Sequence, residues 1–170
     1  MRTLVLFLSV LCKLNFVVAQ DSTDYYVKRL SWESLFIKPT YATELVLSKD
    51  AEKLIAYKND NTVKKLFCAI SDDTKTVAVH MVLTRMFEPQ GISFTQKSIY
   101  KGDSIIAVSY TYNTLLWQYD VKLGKYSIEP EAVKKIKKYW EKKLPVLQNM
   151  SKSGKGKQIK KCNKALNRGI

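Results

Sequence analysis

The spacing of apolar residues changes after Asn61, and this change limits the folds open to the chain. From there on, apolar residues tend to recur at every second position, in stretches rich in β-branched and aromatic side chains, as is typical of strands. Turn-forming residues separate these stretches. The pattern predicts strands over residues 63–70, 76–87, 92–100, 104–112 and 115–121. Because short connections favour hairpins, we expect an antiparallel five-stranded meander, which is large enough to curl into a half-barrel.

Helices are predicted on both sides of this sheet. Ser48 or Asp50 is suited to cap a short helix that precedes it. A longer helix follows Pro130, and Pro145 is expected to kink or end it. The apolar stripe of this second helix consists of Val133, Ile136, Trp140, Leu144 and Leu147. We therefore expect an α+β fold, with an N-terminal helical segment, the meander, and a basic C-terminal helix that covers it.

Residues 1–19 have the pattern of a secretory signal peptide. Arg2 supplies a positive start, residues 4–11 are almost entirely apolar, and small or β-branched residues precede Ala19. We predict cleavage between Ala19 and Gln20. The apolar stretch is too short to span a bilayer, which disfavours the alternative of an uncleaved anchor. The sequence thus predicts a secreted, extracellular protein.

After the leader, the chain is predicted to form a single domain over residues 20–148 and a flexible basic tail over residues 149–170. Two cysteines remain, and in an oxidising compartment we expect a disulfide between Cys68, on a strand, and Cys162 in the tail. The alternative is a buried thiol at Cys68 and an exposed thiol at Cys162 that pairs between chains. Asn149 begins an Asn-x-Ser acceptor for N-glycosylation.

Positive charge is concentrated at the C-terminal end of the chain. Of the 29 basic residues, thirteen lie from Lys134 onwards, where Glu141 is the single acid, whereas basic and acidic residues balance over residues 20–133. Such asymmetry indicates an anionic partner. Residues 133–138 have the basic spacing often seen in heparin-binding segments. The candidate polyanion-binding residues are Lys134, Lys135, Lys137, Lys138, Lys142, Lys143, Lys155, Lys157, Lys160, Lys161, Lys164 and Arg168.

Other interpretations of these lysines stay open, because any lysine-rich helix matches that spacing. The lysines could serve solubility alone, or act as a nuclear localisation signal if the protein enters another cell. With Tyr139 and Trp140 the helix also has the composition of one that binds an anionic membrane surface. We expect its apolar stripe to pack on the sheet instead, because the sheet needs a cover.

Residues for catalysis and metal binding are sparse. One histidine and two remaining cysteines cannot supply a four-ligand Cys/His zinc site or a two-histidine acid/base pair. His80 lies in an apolar stretch, and we interpret it as a core residue. The acidic residues show no paired spacing, and no glycine-rich phosphate loop occurs. An aromatic set is expected to pack in the core rather than stack on bases, namely Tyr110, Tyr112, Trp117 and Tyr119.

The sequence therefore predicts a secreted, non-enzymatic binding protein without metal or cofactor, with the make-up of an effector that acts on a host or neighbouring cell. Its C-terminal lysines would engage a glycosaminoglycan, a nucleic acid or an acidic protein. Two alternatives are a small-ligand carrier that uses the curled sheet as a cup, and a membrane-active toxin that acts through the basic helix. The oligomeric state is left open.

Overall fold

The computed structural model describes residues 22–38, 44–90 and 92–152, and they form an α+β fold. The helices are residues 22–28 (α1), Lys49–Ala56 (α2), Asp60–Ala69 (α3), Thr76–Phe87 (α4), Pro130–Lys143 (α5) and Pro145–Lys152 (α6). The strands are Leu35–Lys38 (β1), Glu44–Leu47 (β2), Phe94–Lys101 (β3), Ser104–Tyr112 (β4), Leu115–Asp120 (β5) and Lys125–Ser127 (β6). β1 and β2 pair in an antiparallel sheet after a 3-10 turn, and β3 to β6 form an antiparallel meander in chain order.

The meander contains three of the five predicted strands, since β3, β4 and β5 match the last three apolar stretches. β6 is an edge strand that the pattern missed, because three residues are too few to show a period. Register aligns Tyr110 with Trp117 and Tyr119 with Tyr126, so aromatic side chains share one face. Tyr110, Tyr112 and Trp117 are buried, which confirms that this face packs in the core.

The other two predicted strands, over residues 63–70 and 76–87, are wrong, because these segments form helices α3 and α4. The Asn59 side chain accepts a hydrogen bond from the Thr62 amide at 3.0 Å, as an N-cap residue of α3 does. Ten of the twelve α4 residues are buried. A helix surrounded on all sides has no polar face, so its period is absent from the sequence, and its many β-branched residues favoured a strand.

Helix α4 lies at the centre of the core. α2 and α3 pack against it, and β2 also contacts it. Leu54, Leu66, Met81 and Leu83 have no exposed surface. Ser48 caps α2 by accepting a hydrogen bond from the Ala51 amide at 3.2 Å, which confirms one of the two predicted caps.

Helix α5 packs on β5 and covers the sheet as predicted. Ile136, Trp140, Leu144 and Leu147 are buried, so the apolar stripe faces the core. α5 ends just before Pro145, where α6 begins. The predicted break at this proline is confirmed.

One buried imidazole joins three elements of the core. The Trp140 indole Nε1 on α5 donates a hydrogen bond to His80 Nδ1 on α4 at 3.0 Å. His80 Nε2 lies 3.3 Å from the carbonyl oxygen of Tyr112 on β4. The sheet and both helices are therefore fixed to one another by a polar contact inside the apolar core.

Parts of both chain ends belong to predicted segments that the described ranges do not include. The predicted signal peptide over residues 1–19 and most of the predicted tail lie outside the described residues. α6 continues to Lys152, so residues 149–152 of that tail are helical. Among the helices of the described ranges, none combines the length and apolar character needed to cross a bilayer.

Candidate polyanion-binding face

Helix α5 presents lysines to solvent because its opposite side is buried. Pro130 occupies the first turn, where a missing amide hydrogen breaks no helical bond. Glu131 follows it, near the positive end of the helix dipole. The N-cap residue is Glu129, and its side chain makes no capping hydrogen bond. Proline position, helix dipole and the buried stripe therefore set where α5 begins and which side faces outward.

Three of the six predicted lysines on α5 form a row that we call the lysine row. It consists of Lys135, Lys138 and Lys142, which are all exposed. Their spacings of three and four residues place neighbours about 5–6 Å apart between Cβ atoms. With about 100° of rotation per residue, the row lies on the side of the helix away from Ile136 and Trp140. Over residues 22–38, 44–90 and 92–152, none of the three has a carboxylate within salt-bridge distance.

Lys134 is exposed, but its charge is partly compensated. Its Nζ lies 2.7 Å from the Glu131 carboxylate, one turn earlier in the helix. The hydrogen bond and charge of Lys134, with smaller contributions from Lys135 and Lys138, hold the pKa of Glu131 below its ordinary value. The N-terminal end of the lysine row is therefore partly neutralised. At its other end, Lys142 follows Glu141 in the chain but forms no ion pair with a described carboxylate.

Lys137 and Lys143 make contacts with other residues of the protein. Lys137 donates a hydrogen bond to Ser71 Oγ at 2.8 Å and lies 5.6 Å from the Phe67 ring centroid. Lys143 forms an ion pair with Glu88, whose side chain is largely buried. These contacts tie α5 to the loop after α3 and to the end of α4. Both lysines were predicted to bind a polyanion, and the structure places them beside the buried stripe, outside the row.

Several predicted site residues cannot be compared with the structure. Those outside the described residues are Lys155, Lys157, Lys160, Lys161, Lys164, Arg168 and Cys162. Cys68 is buried in helix α3, and its prediction as a strand residue is wrong. The disulfide from Cys68 to Cys162 stays a prediction. Asn149 is exposed on α6, and its glycosylation also stays a prediction.

His80 is a core residue, as predicted, and it has a defined protonation state. Because Nδ1 accepts the indole hydrogen of Trp140, the ring proton is assigned to Nε2, which donates to the Tyr112 carbonyl oxygen. Burial lowers the pKa of His80 to about 4, which outweighs the opposing effect of the backbone hydrogen bond. The imidazole is 1% exposed. A substrate therefore has no surface of this ring to reach.

A polar cleft that sequence reasoning missed lies beside the C-terminal half of α5. Its volume is about 620 Å³. The Tyr139 hydroxyl donates a hydrogen bond to the Glu88 carboxylate, and Lys143 Nζ lies 3.1 Å from the same hydroxyl. Because the glutamate and the tyrosine are 51 residues apart, no local spacing could have revealed the pair. The cleft is lined by Phe87, Glu88, Pro89, Gln90, Ser93, Asn113, Thr114, Tyr139 and Lys143.

No cluster of three or more His, Cys, Asp or Glu side chains in the described residues is arranged to hold a metal ion. A scan against protein-family models and searches of curated proteins and of solved structures found no match to this chain.

Proposed function

We propose that this protein is a secreted, non-enzymatic binding protein that engages an extended anionic partner through the lysine row of α5 and the basic tail. The observation that supports the proposal is a row of three exposed lysines that form no ion pair with a described carboxylate, on a helix whose other side is fixed in the core. We favour a glycosaminoglycan. Nucleic acid and acidic protein are the competing anionic partners, and an effector role toward another cell would follow from such binding.

The physical basis is release of counterions. A polyanion carries a layer of condensed cations, and each lysine that replaces one of them gains binding free energy that decreases as salt rises. A rigid row is suited to this because its lysines are already arranged about one turn apart, so little order is lost on binding. The lysines of the tail add charge to the same end of the chain.

The test is elution from immobilised heparin in a salt gradient. A variant with Lys135→Glu, Lys138→Glu and Lys142→Glu is expected to elute at clearly lower salt than the wild type. A charge-matched control carries Lys28→Glu, Lys49→Glu and Lys97→Glu, at exposed positions outside α5. Equal shifts for both variants would show that net charge alone matters, and the proposal would be discarded.

The partner class is decided by comparing matrices. We expect retention on heparin to persist to higher salt than retention on duplex DNA or on polyglutamate. If DNA is bound instead, removal of the row should reduce the slope of log K against log salt by about 3, provided each lysine displaces one counterion. A chain that ends at residue 152 separates the contribution of the tail from that of α5.

Export and the disulfide need separate measurements. Expression through a secretory pathway followed by N-terminal sequencing should give Gln20 as the first residue. Mass spectrometry of the alkylated, non-reduced protein should show Cys68 linked to Cys162. A retained leader would contradict the proposed localisation, whereas an absent disulfide would leave the lysine row unaffected.

A second candidate function, carriage of a small ligand, is favoured by the cleft beside Glu88 and not by the sheet. The aromatic face of the sheet is covered by α5 and carries buried side chains. The cleft offers a carboxylate, a phenol and an ammonium group to a small polar molecule. Native mass spectrometry of the purified protein would show a bound ligand, and loss of that mass in a Glu88→Gln variant would assign it to the cleft.

A further inference from the structure

The free end of the four-stranded sheet carries a cluster of exposed apolar side chains. Register aligns Tyr100 with Ile105 at the end of the β3–β4 hairpin. The next turn along the sheet lies beside this hairpin, because the Val121 amide donates a hydrogen bond to the Ile106 carbonyl oxygen at 3.1 Å. We define the sheet tip as Tyr100, Ile105, Ile106, Val121 and Leu123, whose exposed fractions are 61%, 43%, 42%, 45% and 66%. The fold thus gathers these side chains at one end and leaves them uncovered.

The turns that display the sheet tip are well defined. Gly102 and Gly124 have φ values of +62° and +63°, in the left-handed region that glycine adopts without strain. Asp120 Oδ1 accepts a hydrogen bond from the Leu123 amide at 2.8 Å and so fixes the second turn. A register shift between Ile99 and Tyr100 adds a bulge to the hairpin. The exposure of the sheet tip is therefore set by backbone geometry.

Lysines are interleaved with the apolar residues of the sheet tip. Lys101 follows Tyr100, Lys122 separates the two apolar residues of the second turn, and Lys125 begins β6. All three are exposed, and none forms an ion pair with another described residue. The acids at this end are Asp103 in the first turn and Asp120, which the register aligns with Lys125. The result is an exposed apolar end with three lysines and two acids beside it.

This arrangement matches the layers of an anionic bilayer. Exposed apolar side chains at the end of a sheet can enter the boundary between headgroups and acyl chains, where tyrosine is also favoured. Lysine side chains beside them can keep their ammonium groups among lipid phosphates and carboxylates.

We propose that the sheet tip docks the protein on an anionic lipid bilayer, with its five apolar side chains in the interface and Lys101, Lys122 and Lys125 at the headgroups. This contact is separate from polyanion binding by α5. It also differs from membrane action by that helix, whose apolar stripe is buried and could reach lipid only if the core opened. The sheet tip reaches lipid with the fold intact.

Co-flotation of the full chain with vesicles tests the proposal. The vesicles contain phosphatidylcholine and phosphatidylserine in a ratio of about 7 to 3, or phosphatidylcholine alone. We expect binding to the anionic vesicles and little to the neutral ones. The double variant Ile105→Ser, Leu123→Ser should partition at least ~10-fold more weakly, since each buried CH₂ changes partition about four-fold. Lys122→Glu should weaken binding to the anionic vesicles by a similar factor, as each charge near such a surface contributes about five-fold.

Leu116→Ser is the matched control. Leu116 is 45% exposed on the outer face of the same sheet, away from the tip, and its substitution should leave partition unchanged. Equal loss in this control, or equal binding of the wild type to neutral vesicles, would overturn the proposal. So would a shift of the double variant from dimer to monomer in gel filtration, because the tip would then contact a second copy. The double variant should still elute normally from heparin, which separates this proposal from the one on α5.

Discussion

Helices α4 and α5 are similar in length but differ in how much of their surface the protein buries. Ten of the twelve residues of α4 are buried, whereas two of the fourteen residues of α5 are. α4 carries one basic residue, Arg85, while α5 carries six lysines. They meet where Trp140 of α5 donates a hydrogen bond to His80 of α4.

This difference separates two roles. Every side of α4 contributes to the core, so most substitutions in it should cost stability. In α5 the core contribution is confined to a few side chains, and the rest of the helix can carry charge with little effect on folding. The contact between Trp140 and His80 is what allows the charged helix to be held rigidly. Four experiments test this division, and they follow in order of expected effect.

The largest effect is expected from Trp140→Ala. The indole is fully buried, and its loss would leave a cavity and remove the hydrogen-bond donor of His80. Truncation of a buried aromatic side chain costs roughly 4 kcal/mol of unfolding free energy. Chemical denaturation monitored by circular dichroism measures this value. A loss below about 1 kcal/mol would mean that α5 is not anchored as described.

The second effect concerns pH. The pKa of His80 is about 4 in the folded protein and near 6.5 in an unfolded chain, so the unfolded state binds the proton more tightly. The contribution of His80 to the free energy of unfolding is therefore fully present above pH 6.5 and decreases as pH falls from 6.5 to 4. Below pH 4 the free energy of unfolding is smaller by about 3 kcal/mol.

Denaturation of the wild type and of His80→Asn across this pH range measures the part of the pH dependence of stability that comes from His80. The other titrating groups are common to both proteins and cancel in the comparison. The variant should be less stable at pH 7 and should show a smaller loss between pH 6.5 and 4. Parallel pH profiles would contradict the buried neutral imidazole.

The third effect tests the helical assignment of α3. Asn59→Ala removes the side chain that accepts a hydrogen bond from the Thr62 amide, and loss of an N-cap costs about 1 kcal/mol. Asn59→Asp keeps an acceptor at the cap and should retain most of the stability. If both variants were equally destabilised, capping would not explain the role of this residue.

The smallest effect on stability is expected in the lysine row. Lys138→Ala should change the unfolding free energy by less than about 0.5 kcal/mol, because the side chain is exposed and lacks an ion pair with any described residue. The same variant should elute earlier from heparin. A loss of several kcal/mol would show that the row stabilises the fold and would remove the contrast with α4.

The same contrast explains how much of the fold could be predicted. α5 could be predicted because one of its sides is apolar and the other charged, and its break because Pro145 interrupts the pattern. Three strands of the meander could be predicted because turn residues bound them. α4 was misread since complete burial removes the polar face on which a helical period depends. The strand predicted over α3 is also wrong, although Asn59 is a residue type that commonly caps a helix.

For the candidate site, the sequence could predict which lysines lie on α5, but not which of them contact residues from other elements. It identified all six lysines of α5. The partner of Lys134 is Glu131 in the same helix, but Lys137 and Lys143 are paired with Ser71 and Glu88, which reach the helix from other elements. The sheet tip was also missed. Four of its five residues were assigned to strands by alternation, and Leu123 lies outside the predicted strands. Which end of the sheet stays uncovered is decided by tertiary packing alone.

The enclosed imidazole of α4 also gives the protein a built-in spectroscopic label. Because the chain contains a single histidine, its ring protons should give one resolved set of signals in an unlabelled sample. Their chemical shifts would depend on the neighbouring indole and phenol rings and would move when those rings separate. Any partner that loosens the junction between the two helices could then be detected by proton NMR without altering the sequence.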